Sequence, residues 1–190
     1  MTKNVMIVGV GGQGSLLASK LLGHLLLKEG YDVKVSEVHG MSQRGGDVQS
    51  HLRLSTEPIW SDLIPMASAD VIISMEPMES LRYLEYLSPE GTVVTGSVPF
   101  VNIPNYPDET ALQSELDALP HVVKNDIEAV AKDCNGARGA NMVLLGMAAP
   151  HIGILSVEQL REAIKVVFAR KGEAVVEANL RCFDSPTHVS

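Results

Sequence analysis

Cysteine is scarce in this chain: only Cys134 and Cys182 occur, with 47 positions between them. They supply no CxxC pair and no Cys/His zinc spacing, and too few thiolates for a typical iron–sulfur cluster. Both lie in stretches of helical character, where a buried free thiol is the expected state. Positive charge is also short, with 15 Lys and Arg against 23 Asp and Glu and a formal net charge of −8. Sequence-independent binding to nucleic acid and attachment to anionic membranes both call for the opposite sign. No apolar run reaches the length of a membrane-spanning helix. The opening "MTKNVMIVGV" has one lysine, a short apolar stretch broken by glycine and no small-residue cleavage site. It reads as the first strand of a cytoplasmic protein. Nucleophilic machinery is missing too: there is no G-x-S-x-G, and no Ser or Cys stands at readable spacing from a His.

What remains is an ordinary globular composition. The 190 residues, 45% hydrophobic and 20% charged, suit one domain with a substantial core. Val5 to Val8 is a short apolar run that ends in glycine, as a buried parallel strand does. In "SLLASKLLGHLLLKEG" the rows Leu17, Leu21, Leu25 and Ala18, Leu22, Leu26 make a wide apolar helix face that Gly30 ends. "YDVKVSEV" alternates as a second strand, which completes a βαβ unit with an expected right-handed crossover. Residues 48–54 alternate again, with Val48, Ser50, Leu52 and Leu54 on one face and Gln49, His51 and Arg53 on the other. A strand over Ala69 to Met75, a helix over 76–87 and a strand over 91–96 follow. Pro99, Pro104 and Pro107 mark 97–108 as an extended connection. A helix from Thr110 to Leu119 leads to a short strand at 121–126, whose Asp126 can cap the next helix. Asn141 to Ala149, Val157 to Ala169 and Gly172 to Arg181 form a helical C-terminal third. The expected fold is α/β: a single doubly wound, mostly parallel, Rossmann-like sheet flanked by helices, with an antiparallel addition near 48–54. The domain spans 1–183, and 184–190 is a tail without fixed structure.

Two glycine-rich stretches carry the chemistry. "GVGGQG", Gly9 to Gly14, fits G-x-G-x-x-G between a strand and a helix. Glycines there turn the chain tightly and let an anion approach unpaired amides at the helix N-terminus. Glu37 lies 23 residues beyond Gly14, near the position of a ribose-binding acid. Three readings stay open: a dinucleotide or flavin site, glycines that only pack strand on helix, or a loop that faces another subunit or its cofactor. The second stretch, "HGMSQRGG", sets His39, Ser42, Gln43 and Arg44 ahead of Gly45 and Gly46. Arg44 can make a two-pronged contact with a phosphate or carboxylate. Loops at strand C-termini gather at the ligand crevice of a doubly wound sheet. Gly11 to Gly14, His39 to Gly46 and the segment after Met75 are therefore expected to meet. His51 and Arg53 either extend the polar surface of Arg44 or face water. Glu76, at a strand end ahead of Pro77, is a candidate hydrogen-bonding or proton-handling acid. His39 lacks the neighbours of a metal ligand, and the eight methionines are core filler.

"GVGGQG", then "SEVHGMSQRGGDVQSHLR", then "ADVIISMEPMESLRYLEYL" resemble, in order, the small subunit of indolepyruvate:ferredoxin oxidoreductase. That subunit is akin to the gamma subunit or domain of other 2-oxoacid:ferredoxin oxidoreductases. The resemblance covers residues 1 to about 180. It implies oxidative decarboxylation of a 2-oxoacid, with thiamine diphosphate and iron–sulfur clusters on a larger alpha subunit, ferredoxin as electron acceptor and coenzyme A as acyl acceptor. It implies that this chain holds no cofactor firmly, closes over a partner's active site and helps present coenzyme A. Carried across by motif, Gly9, Gly11, Gly12, Gln13 and Gly14 form one loop. Glu37, His39, Ser42, Gln43, Arg44, Gly45 and Gly46 form the other. Arg44, Arg53 and the amides near Gly14 are the candidate anion contacts. Aryl pyruvates such as indolepyruvate are the implied substrates. The alternatives are a gamma subunit for another 2-oxoacid, a stand-alone NAD-binding oxidoreductase, or a nucleotide-sensing or assembly module.

Overall fold

The computed structural model describes residues 2–11, 22, 23, 25, 30–40, 46–134 and 139–188. Six strands form one sheet in the order β2-β3-β1-β4-β5-β6. They are β1 (Thr2–Val10), β2 (Asp32–His39), β3 (Asp47–Ser55), β4 (Ala69–Ser74), β5 (Leu87–Gly96) and β6 (Val122–Asn125). The β1/β4, β4/β5 and β5/β6 pairs are parallel, whereas β3 runs antiparallel to both β1 and β2. The antiparallel strand anticipated near 48–54 therefore lies inside the sheet, between the two strands of the first βαβ unit. The connecting helix is described only at Leu22, Gly23 and Leu25, where the backbone is helical and both leucines are buried.

Period-two alternation sorts the core into two layers. Val5 and Ile7 of β1, Val71 and Ile73 of β4, and Val94 of β5 face one layer. Met6, Val8, Ile72 and Val93 face the other. Buried on both faces, β1 and β4 read as unbroken apolar runs for the reason parallel strands usually do.

Six helices complete the described residues: α1 (Pro77–Arg82), α2 (Glu109–Asp117), α3 (Ile127–Asp133), α4 (Ala140–Ile152), α5 (Val157–Phe168) and α6 (Glu173–Asp184). Helix α4 is apolar nearly all round, so it is buried in the first layer beneath α5 and α6. Gly153, at φ +72°, ends it. A capping box opens α5: the Gln159 amide donates to Ser156 Oγ (3.1 Å), and the Ser156 amide donates to Gln159 Oε1 (2.9 Å). Asp126 caps α3 as anticipated, accepting from the Ala129 amide at 2.9 Å. No helix among the described residues is long and apolar enough to cross a membrane.

Two expectations change. The helix anticipated over 76–87 stops at Arg82, a 3₁₀ turn covers Leu84–Tyr86, and Leu87 already begins β5. The carbonyls of Glu85 and Tyr86 accept from the Ala67 and Ser68 amides at 2.9 Å each, so tertiary pairing overrides helical propensity. The tail also begins in order. Ser185–His188 form a 3₁₀ turn, and Ser185 Oγ donates to the Cys182 carbonyl at 2.7 Å.

Helices α4 and α6 cross closely at Gly146, where an added Cβ would overlap the Phe183 carbonyl. Gly146→Ala should lower unfolding free energy by about 1–3 kcal/mol. Urea melts measure this, and an unchanged midpoint would contradict the close crossing.

Candidate functional site

The sequence runs to one side of β1 to form β2 and β3, and to the other to form β4, β5 and β6. The topological switch therefore falls at β1, and the crevice of such a sheet lies outside the C-terminal ends of β1 and β4. The register of β1 on β3 runs from Thr2↔Ser55 to Val10↔Asp47, which brings the start of β3 to the end of β1. There the two glycine-rich stretches touch: the Gly11 amide donates to the Gly46 carbonyl at 2.8 Å. The Gly40 amide donates to the Asp47 carbonyl at 3.0 Å, closing the hairpin between β2 and β3. A Cβ at Gly40 would lie 2.8 Å from Asp47 Oδ1, so a larger residue there would displace that side chain. The third segment joins through the Met75 amide, which donates to the Val8 carbonyl at 3.3 Å.

Glu76 caps α1 at this rim. Its Oε2 accepts from the Glu79 amide at 3.0 Å, its Oε1 accepts from the Tyr106 hydroxyl, and it is 0% exposed. Pro77 suits the first helical turn, where no amide donor is missed. Burial is the main cause that raises the Glu76 carboxyl above its ordinary value. The Tyr106 hydroxyl, the Glu79 and Met78 amides and the Arg82 guanidinium all pull the other way. Glu79 is buried too, and forms an ion pair with Arg82 at 3.3 Å. Its carboxyl is raised by burial first, lowered by Arg82 and raised further by Glu76 and Asp47. The Tyr83 hydroxyl donates to Asp47 Oδ2 at 3.0 Å, which ties α1 to the second glycine stretch.

The described candidates divide clearly. Gly9, Gly11, Gly46 and Glu76 share the rim, with Glu37 and His39 at the end of β2. His39 Nε2 lies 3.7 Å from Glu37 Oε2. Glu37 pairs with Ser50, which pairs with Ile7, so β3 separates this acid from β1. Two strand spacings, about 10 Å, are a poor match for a ribose shared with the first glycine loop. Gly12, Gln13, Gly14, Ser42, Gln43, Arg44 and Gly45 lie outside the described residues.

Two strand residues depart from expectation. Arg53 lies six residues along β3 from Asp47, about 20 Å from the rim. Its Nε donates to Asn4 Oδ1 (3.0 Å) and its Nη1 to the Ser61 carbonyl (2.8 Å). The structure therefore does not bring it together with the rim residues. His51 neither faces water nor extends a rim. It is buried, accepts from the Ile64 amide at Nδ1 (3.2 Å) and meets Tyr86 edge-on, and burial lowers its pKa.

Tyr106, Tyr83 and Asp47 escaped the sequence reading. Tyr106 stands between Pro104 and Pro107 in a segment read only as a connection. An aromatic held between two prolines was the available signal.

A family model described as "Pyruvate ferredoxin/flavodoxin oxidoreductase" matches residues 4–186, and the chain belongs to that family. The indolepyruvate oxidoreductase subunit IorB of Thermococcus kodakarensis is 38% identical, over 95% of this chain and 92% of its own length. The subunit of that name from Archaeoglobus fulgidus is 32% identical over the same shares. Within its family the chain is thus a small subunit of a 2-oxoacid:ferredoxin oxidoreductase. Solved structures share the fold. The pyruvate oxidoreductase subunit PORC of Thermotoga maritima aligns with a TM-score of 0.72 at 20% identity, over 96% of this chain and 93% of that one. The 2-oxoglutarate:ferredoxin oxidoreductase of Magnetococcus marinus, solved with 2-oxoglutarate, coenzyme A and succinyl-CoA bound, aligns at 0.75 and 21% identity. It covers 98% of this chain and 30% of that one.

A carboxyl raised in the fold holds its proton more tightly there than in the unfolded chain. Its stabilising contribution is full below the ordinary value of 4.5 and is lost as pH rises through the folded value. Glu76→Gln, of similar shape and uncharged, should remove this part of the decline in stability above pH 4.5. Urea midpoints across a pH series test it, and equal pH slopes for the two proteins would refute it.

Proposed function

We propose that this chain acts with a larger subunit in the oxidative decarboxylation of aryl pyruvates such as indolepyruvate to acyl-CoA, with ferredoxin as electron acceptor. We place thiamine diphosphate and the iron–sulfur clusters on that larger subunit. The observation that carries the reading is the junction of Gly11 with Gly46 at the switch point of the sheet. It sets Gly11 of the first stretch beside Gly46 of the second at one rim, a place suited to cover a neighbour's chemistry.

The described residues do not fit a resident metal or cluster. No group of three or more His, Cys, Asp or Glu among them could hold a metal ion. Cys182 is buried, and its thiol is pushed up to about 11, by burial first and then by the Cys134 thiol beside it. A proton that tightly held opposes metal ligation, which needs the thiolate.

What the chain contributes is cover and orientation, in a cytoplasmic complex. The Gly11 amide is already committed to Gly46. That amide is therefore not free to receive an anion, and an anion-binding role for the first loop falls to Gly12 to Gly14, as the glycine pattern of the sequence suggests. Arg44 supplies the two-pronged charge that coenzyme A phosphates or a 2-oxoacid carboxylate would meet. With Arg53 held at the far end of its strand, Arg44 carries that role in the second loop.

Reconstitution tests the reading. The chain, the larger subunit, indolepyruvate, coenzyme A and oxidised ferredoxin should together reduce ferredoxin and form acyl-CoA, and turnover should require both subunits. Arg44→Ala should raise KM for coenzyme A by about tenfold or more, the scale of one charge-assisted hydrogen bond, with circular dichroism unchanged. Full turnover by the larger subunit alone, or micromolar NADH binding by this chain alone, would contradict the proposal.

A further inference from the structure

The connection from β3 to β4, residues 56–68, is held down along its length. The Ile59 amide donates to Asp32 Oδ2 (2.6 Å), Arg53 Nη1 to the Ser61 carbonyl (2.8 Å) and the Ile64 amide to His51 Nδ1 (3.2 Å). The Ala67 and Ser68 amides donate to the 3₁₀ turn at 2.9 Å each, and Asn4 Nδ2 donates to the Ser68 carbonyl at 2.9 Å. Ile59 and Ile64 turn inward and are buried. The same loop turns three large apolar side chains outward: Trp60 is 95% exposed, Met66 58% and Leu63 51%. A pinned backbone cannot fold these groups back on itself. Tryptophan carries about 150–250 Å² of surface, and an apolar group presented on a fixed frame loses little further freedom on binding.

We propose that Trp60, Leu63 and Met66 form the anchor by which this chain docks on the larger oxidoreductase subunit, an inference that rests on the subunit reading above. Charge selects the occupant. Glu57 and Asp62 are exposed beside the patch, and the whole chain carries −8. A second copy would set those acids against their own kind, whereas an apolar socket bordered by Lys and Arg would meet them favourably. Position agrees with the division of labour. The loop leaves the end of β3 opposite Asp47, and its bonds to Arg53 and His51 set residues 61–64 beside positions four to six residues along that strand, roughly 13–20 Å from the glycine-lined rim at strand spacing. The chain can be held away from the rim while the rim faces the chemistry.

Trp60 is the single tryptophan of the chain, so 5-fluorotryptophan labelling gives one fluorine resonance. Titration with the unlabelled larger subunit, with sedimentation in parallel, reads both occupancy and assembly. The resonance should shift and lose its solvent isotope effect. Trp60→Ala should bind about 30-fold more weakly or worse, as central aromatic contacts do, with thermal unfolding unchanged because the side chain is exposed. A complex in which the resonance stays solvent-exposed, or equal affinity of Trp60→Ala, would overturn the anchor and leave the subunit reading intact. Self-association of the chain that Trp60→Ala abolishes would also overturn it. Failure of the unmodified chain to bind the larger subunit would overturn the subunit reading itself.

Discussion

The pairing of β1 with β3 is the constraint on which the candidate site depends. Nine consecutive residue pairs hold these strands antiparallel, and the last places Asp47 against Val10. A slip of one residue would turn Met6 and Val8 into the layer of Val5 and Ile7, so burial on both faces locks the register. With the register locked, the residue before β3 has to lie beside the residue after β1. The Gly11–Gly46 hydrogen bond follows from sheet geometry and requires no separate feature of the loops. Insertion of β3 also moves β2 outward, which separates Glu37 from the first glycine loop and makes the rim unlike that of a simple dinucleotide fold.

A second layer of ties makes this rim a composite surface. Asp47 receives the Tyr83 hydroxyl, and Glu76 receives the Tyr106 hydroxyl, so α1 is joined to the hairpin on one side and to the proline-rich segment on the other. Both acceptors are carboxylates, and Glu76 and Glu79 are buried acids raised by desolvation. A buried carboxyl is stabilising only while its hydrogen bonds are complete. Three segments thus hold one another at the mouth of the crevice through side-chain hydrogen bonds. Such an arrangement suits the covering role proposed for the chain more than a reaction centre, in agreement with the lack of a nucleophile constellation in the sequence.

The fold was legible where periodicity was strong. The strands at β1, β2, β4 and β6, the alternation in β3 and the three C-terminal helices all lie where their patterns put them, because apolar spacing and glycine or Asp boundaries agree there. Convergence of the glycine stretches was legible as well, since strand C-termini share an edge in any doubly wound sheet. Less legible were features decided by distant partners. Helix α1 ends early because Glu85 and Tyr86 pair with Ala67 and Ser68. The place of β3 inside the sheet leaves no trace in local alternation, whereas Arg53 is kept from the rim residues by its position six residues along that strand from Asp47. Alternation left His51 either extending the polar surface of Arg44 or facing water, but the Ile64 loop covers it. Tyr106 acquires its role from Glu76, 30 residues earlier.

Amide hydrogen exchange on the chain, alone and assembled with the larger subunit, tests the central claim most directly. The account predicts that assembly slows exchange at Gly11, Gly40 and Asp47, the backbone of the joined glycine stretches, because a neighbour's surface then excludes water from them. Unchanged exchange at all three positions in a fully assembled, active complex would show that this rim covers nothing, and would contradict the account.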